Sequence, residues 1–98
     1  MSLAQLTNPA SVKSAIAECD RLGREEFLRK YGFRPARRYL VIFEGRKYDS
    51  KAVAGVAHSY QFPNLGPLTA AMFSGGVAKT GAACRLRELG FNIDSVGH

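Results

Sequence analysis

Acidic side chains are in short supply: eight Asp and Glu stand against fourteen Lys and Arg, a formal net charge of +6 over 98 residues. That imbalance points to a polyanionic partner. Histidine and cysteine are scarcer, two of each. Cys19, Cys84, His58 and His98 do not supply four ligands at tetrahedral spacing, so neither a metal site nor any other cofactor is expected. Both cysteines lie among apolar residues at helical spacing and read as buried thiols. No apolar run approaches the ~20 residues needed to cross a bilayer. The N-terminus lacks the basic-then-apolar layout of a secretory signal, so a cytoplasmic location is expected. What is present is 46% hydrophobic residues with no low-complexity tract, enough for residues 1–98 to fold as one domain.

Asn8-Pro9 predicts a helix start, with Asn8 as cap and Pro9 in the first turn. Val12, Ala15, Ile16, Cys19 and Leu22 then recur at three- and four-residue spacing up to Gly23. A second short helix covers residues 24–31, turning Phe27, Leu28 and Tyr31 inward and stopping at Gly32. Arg34-Pro35 closes this helical hairpin, because proline drives the preceding residue to extended conformations. Residues 39–43 (Tyr-Leu-Val-Ile-Phe) carry the strongest strand signal, and Glu44-Gly45 turns them into residues 46–48 as a β-hairpin. Asp49 or Ser50 caps a helix over residues 51–60, with Ala52, Val53, Val56, Ala57 and Tyr60 on its inner side. After a loop at 61–67, Thr69 caps one helical turn through Phe73. Ser74-Gly75-Gly76 leads into a last helix, 77–89, packed through Ala78, Ala82, Leu86 and Leu89. Phe91-Asn92-Ile93 alternates and is a candidate third strand beside the hairpin. The expected fold is a small single α+β domain: a helical hairpin, then a β-hairpin within a small antiparallel sheet, and two further helices.

Eight bases crowd into residues 29–51: Arg29, Lys30, Arg34, Arg37, Arg38, Arg46, Lys47 and Lys51. Only Glu44 and Asp49 oppose them there, so the window carries +6 while six bases and six acids balance outside it. Arg34, Arg37 and Arg38 precede the first strand, and their planar forks suit phosphate. Arg46 and Lys47 should project from opposite faces of the ribbon. Tyr48 offers a ring for base stacking or a hydroxyl for phosphate, unless it is a cross-strand core aromatic. Ser50 and Lys51 open a helix, beside backbone N–H groups that attract anions. Ser74, Gly75 and Gly76, followed by Lys79 and Thr80, form a second anion cradle, without the spacing of a nucleotide-binding P-loop.

Nucleophilic catalysis finds no support, since Cys84 has no histidine near it in sequence. Glu44, Asp49 and Lys51 loosely follow the acid…acid-x-Lys layout of metal-dependent nucleases, which leaves an enzymatic alternative. A basic face docking an acidic protein is a third reading. RNA is disfavoured, because neither an RNP-type aromatic strand nor a GxxG clamp is present.

The strings Phe27-Leu28-x-x-Tyr31-Gly32-Phe33, Pro35-Ala36-Arg37-Arg38-Tyr39-Leu40, Arg46-x-Tyr48-Asp49-Ser50-Lys51-Ala52-x-Ala54-Gly55-x-Ala57-His58, Phe73-Ser74-Gly75-Gly76 and Leu86-Arg87-x-Leu89-Gly90-Phe91 carry a resemblance. Together they resemble the N-terminal head domain of actinobacterial McrA-like HNH endonucleases, from about Ala10 to Ile93. The resemblance implies a module for double-stranded DNA carrying 5-methylcytosine or another modification, without nuclease activity of its own. An HNH nuclease domain, in cis or in trans, would be its partner. A methyl on cytosine is readable in the major groove by apolar contact, or by flipping the base onto Tyr48, Tyr60 or Phe73.

Overall fold

The computed structural model describes residues 3–35, 38–73 and 81–95. Its elements are α1 (Pro9–Leu22), α2 (Arg24–Tyr31), β1 (Tyr39–Phe43), β2 (Arg46–Asp49), α3 (Ser50–Gln61), α4 (Ala82–Glu88) and β3 (Asn92–Ser95), with 3₁₀ turns at Leu3–Gln5 and Ala70–Met72. The expected α+β architecture is the observed one.

Local chemistry sets each boundary. The Asn8 side chain accepts from the Ala10 N–H at 2.9 Å, and Pro9 occupies the first turn of α1. Gly32, in the left-handed region at φ 74°, ends α2, and the Phe33 N–H reaches back to the Leu28 carbonyl at 2.9 Å. Glu44 and Gly45 both take positive φ, 50° and 78°, the turn whose twist matches two antiparallel strands. The hairpin pairs Leu40 with Asp49, Val41 with Tyr48, Ile42 with Lys47 and Phe43 with Arg46. β3 lies antiparallel on the other side of β1, giving the order β2-β1-β3.

Alternation places Val41, Tyr48 and Ile93 on one face of the sheet, and this face meets the core. α3 runs through the middle of that core and is buried from Ala52 to His58. At Gly55 a Cβ would lie 2.7 Å from the Phe33 ring and 2.8 Å from the Leu68 carbonyl oxygen, so only glycine lets that loop close onto the helix. Among the described residues no helix is long and apolar enough to cross a membrane.

Three expectations need correction. The last helix starts at Ala82 rather than Val77, because Gly81 is extended (φ −86°, ψ 159°) and breaks helical continuity; residues 74–80 lie outside the described set. Asp49 occupies the N-cap position of α3, yet its carboxylate is spent on Arg24 rather than on the helix. Tyr60 is exposed instead of inward, with its hydroxyl turned onto Glu18.

His58 is fully buried. Its Nδ1 lies 2.9 Å from the Gly66 carbonyl, which can only accept, so that nitrogen carries the proton. The ring packs on Phe62 at 5.0 Å. It is a core residue, not a surface base.

Candidate nucleic-acid interface

The basic window does not stay together as a patch, because acids from outside it come to meet it. Arg29 pairs with Glu26 at 2.6 Å and Lys30 with Glu18 at 2.9 Å. Arg46 approaches Asp20 at 3.6 Å, and Lys47 pairs with Asp94 at 2.7 Å. The Lys47 contact follows from the sheet register. Lys47 sits opposite Ile42 and Asp94 opposite Leu40, so the lysine stretches across β1 on the face turned away from the helices.

Three bases of the window behave differently. Arg34 and Arg38 are exposed and make no ion pair among the described residues. Lys51, in the first turn of α3, lies over the Phe73 ring at 5.5 Å rather than against an acid. Packing gathers them. The Ser50 hydroxyl donates to the Tyr39 carbonyl at 2.8 Å, which ties the start of α3 to the residue after Arg38. The Phe33 ring stands 6.2 Å from Phe73, which brings the residue before Arg34 to the same end. The start of α3 thus carries Lys51 over a half-buried aromatic ring, with the chain next to Arg34 and Arg38 packed at the same end.

Other expected contacts fare less well. Tyr48 is only 7% exposed, with its hydroxyl donating to Asp20 at 2.8 Å. Burial first, and then that bond, raise its pKa. The core reading of Tyr48 holds, and its ring is unavailable for stacking on a base. Ser50 is likewise buried and bonded to Tyr39, so it cannot face a duplex. Arg37, Ser74, Gly75, Gly76, Lys79 and Thr80 lie outside the described residues. Lys51 over Phe73 nevertheless sets the α3 start beside the chain that enters the Ser74-Gly75-Gly76 segment.

The metal-nuclease alternative loses its geometry. Asp49 is buried, with its two oxygens each 2.8 Å from the Arg24 guanidinium. Glu44 is in the turn at the other end of β2, about 10 Å away at the usual rise per strand residue. Among the described residues no group of three or more His, Cys, Asp or Glu is placed to hold a metal.

Over residues 4–95 the sequence matches the family described as ScoMcrA-like, N-terminal head domain. The chain belongs to this head-domain family. It is similar in structure to ScoMcrA, a Type IV phosphorothioation-dependent restriction endonuclease, at 35% identity and a TM-score of 0.66. That likeness covers 94% of this chain but 13% of the endonuclease, so the head domain spans only a small part of its relative. No curated protein matches.

Two features of this head domain escaped the sequence reading. Glu18 is buried and receives Tyr31 and Tyr60 hydroxyls as well as Lys30, locking α1 to α2 and α3. Burial alone would raise its pKa, but hydrogen bonds from Tyr31, Tyr60 and Lys30, with the Lys30 charge, outweigh it and hold the carboxylate below 4.5. Its place beside the apolar stripe of α1 was the available signal. The second is Arg24, which lies outside the basic window. With Arg46 and Lys47 it walls a cleft of about 240 Å³ between the α1–α2 junction and β2.

Proposed function

We propose that this domain binds modified double-stranded DNA through the sugar–phosphate backbone and leaves cleavage to a separate nuclease domain, in cis or in trans. The carrying observation is that Arg34, Arg38 and Lys51 meet no acid among the described residues, with Lys51 set over the Phe73 ring at the start of α3. Arg37, Lys79 and the Ser74-Gly75-Gly76 segment extend this grip in the proposal. Family membership supports the reading, since the similar endonuclease is a phosphorothioation-dependent restriction enzyme.

The mark is proposed to lie in the backbone. Phosphorothioation, named for the similar endonuclease, changes a phosphate rather than a base. A surface of cations with Tyr48 withdrawn into the core suits a backbone ligand better than it suits reading a cytosine methyl. Methylated duplex is the second ligand to try. Its discrimination through a single methyl contact would amount to ~1–3 kcal/mol.

The test is an anisotropy titration with three duplexes of one sequence (unmodified, 5-methylcytosine and phosphorothioate) at two salt concentrations. Neutralising about five phosphates predicts a log–log salt slope of ~−4 to −5. Absence of binding at low salt, or a flat response, would remove the proposal. Equal affinity for all three duplexes would keep DNA binding and place the discrimination outside this domain.

A further inference from the structure

Resting on the reading that the domain binds DNA, we infer that the cleft between the α1–α2 junction and β2 is a docking site for a single backbone phosphodiester, with Arg24 as its principal ligand. Asp49 sets the geometry. This carboxylate is buried, and it takes the Nε and Nη2 of Arg24 at 2.8 Å each. A guanidinium has five N–H donors in a rigid fork. With one edge fixed on Asp49, the remaining donors belong to a side chain that is 55% exposed and borders the cleft. A buried acid thus orients an arginine whose outer edge is pre-set for another anion, as outer partners orient functional groups elsewhere.

The neighbours complete the site. Arg46 contributes a second fork, held only loosely at 3.6 Å from Asp20, and Lys47 borders the same cleft. The two acids present are already committed. Asp49 faces Arg24, and Asp20 accepts the Tyr48 hydroxyl while lying beside Arg46. Lys47 is neutralised by Asp94 at 2.7 Å, so the charges around the cleft balance and the diester is held by the outward donors of Arg24 and Arg46 rather than by net charge. Cys19 lines it as a neutral thiol, its pKa pushed up to about 11 mainly by burial, so it brings neither charge nor a nucleophile.

Size selects the ligand. At about 240 Å³ the cleft falls below the ~300–1,000 Å³ typical of sites that enclose a whole small molecule. It therefore takes a phosphate and part of its sugar rather than a flipped nucleotide.

Arg24→Gln and Arg46→Gln, each measured against one duplex across a salt series, test the inference. Each is expected to make the log–log slope shallower by about one. Arg24→Gln should also weaken binding about tenfold at low salt. Arg24→Lys, which keeps the charge without the fork, should restore the slope but not the affinity. Circular dichroism and thermal melts establish that each variant is folded. Arg46 is exposed and loosely held, so its variant keeps the test open should Arg24→Gln unfold. Slopes and affinities equal to wild type in both variants would overturn the cleft while leaving DNA binding intact. If the wild type itself ignores duplex DNA, the reading beneath fails, and inorganic phosphate decides the cleft. Amide shifts at Gly23, Arg24 and Lys47 on phosphate titration support an anion site, and their absence overturns it.

Discussion

Arg46 and Lys47 on the ribbon and Arg34, Arg38 and Lys51 around the start of α3 look alike as letters, yet the fold treats them in opposite ways. The ribbon bases, together with Arg24, Arg29 and Lys30, each meet a carboxylate within 4 Å. The α3 group meets none among the described residues, and its Lys51 lies over an aromatic ring instead. Apart from Glu26, three residues before Arg29 on α2, the partners of the paired set come from other elements: Glu18 and Asp20 on α1, Asp49 on β2 and Asp94 on β3. Charge density along a sequence therefore overstates the charge a ligand meets. The surface field depends on which acids the topology returns to the same place.

Removing the unpaired set should have the largest effect. Replacing Arg34, Arg38 and Lys51 together by Gln is expected to lower duplex affinity about a hundredfold at moderate salt and to flatten the salt slope by ~2.7. A titration series at three salt concentrations measures both. If the triple variant binds like wild type, the distinction between the two groups has no functional meaning.

Next comes a contrast between two arginines of identical chemistry. Arg24→Ala removes two charge-assisted hydrogen bonds from the buried Asp49 and should cost about 2–3 kcal/mol in urea unfolding, less than a fully buried pair because Arg24 is itself half exposed. Arg34→Ala, at an exposed site with no ion pair among the described residues, should stay within about 0.5 kcal/mol. Equal losses would mean that pairing does not separate the groups.

The Glu18 hub tests the paired set through pH. Its folded pKa is depressed, so its contribution is full above the unfolded value near 4.5 and is lost as pH falls through the lower folded value. Wild type should therefore lose stability relative to Glu18→Gln as pH drops below about 4.5. Parallel unfolding curves from pH 7 to pH 3 would contradict this.

The smallest effect sharpens the comparison most directly. Asp94→Asn releases Lys47 on the exposed face of the sheet. If pairing is what silences a base, duplex affinity should rise about two- to fivefold with a slightly steeper salt slope. A drop in affinity would show that the pair itself takes part in binding.

Much of the framework could be read from letters alone. Asn8-Pro9, the Val12-to-Leu22 stripe, Gly32 and Glu44-Gly45 are local signals whose chemistry acts within a few residues, and their elements fall where expected. The site was less legible. Tyr48 alternates with Lys47 on β2, and one residue of parity decides whether its ring faces water or Val41. Ser50 looked like a surface cap until the Tyr39 carbonyl came to it. Arg24 lay outside the charged window, and only its meeting with Asp49, twenty-five residues away, made it prominent.

By itself, the sequence determined the order of helices and strands, the turn between β1 and β2, and the excess of positive charge. These depend on backbone preference, hydrophobic period and composition, which neighbouring residues settle among themselves. Tertiary structure alone decided which cations stay unpaired, which aromatic is withdrawn, and where a cleft opens. Those outcomes rest on contacts between residues far apart in the chain, and an ion pair exists only once packing has brought both partners within reach.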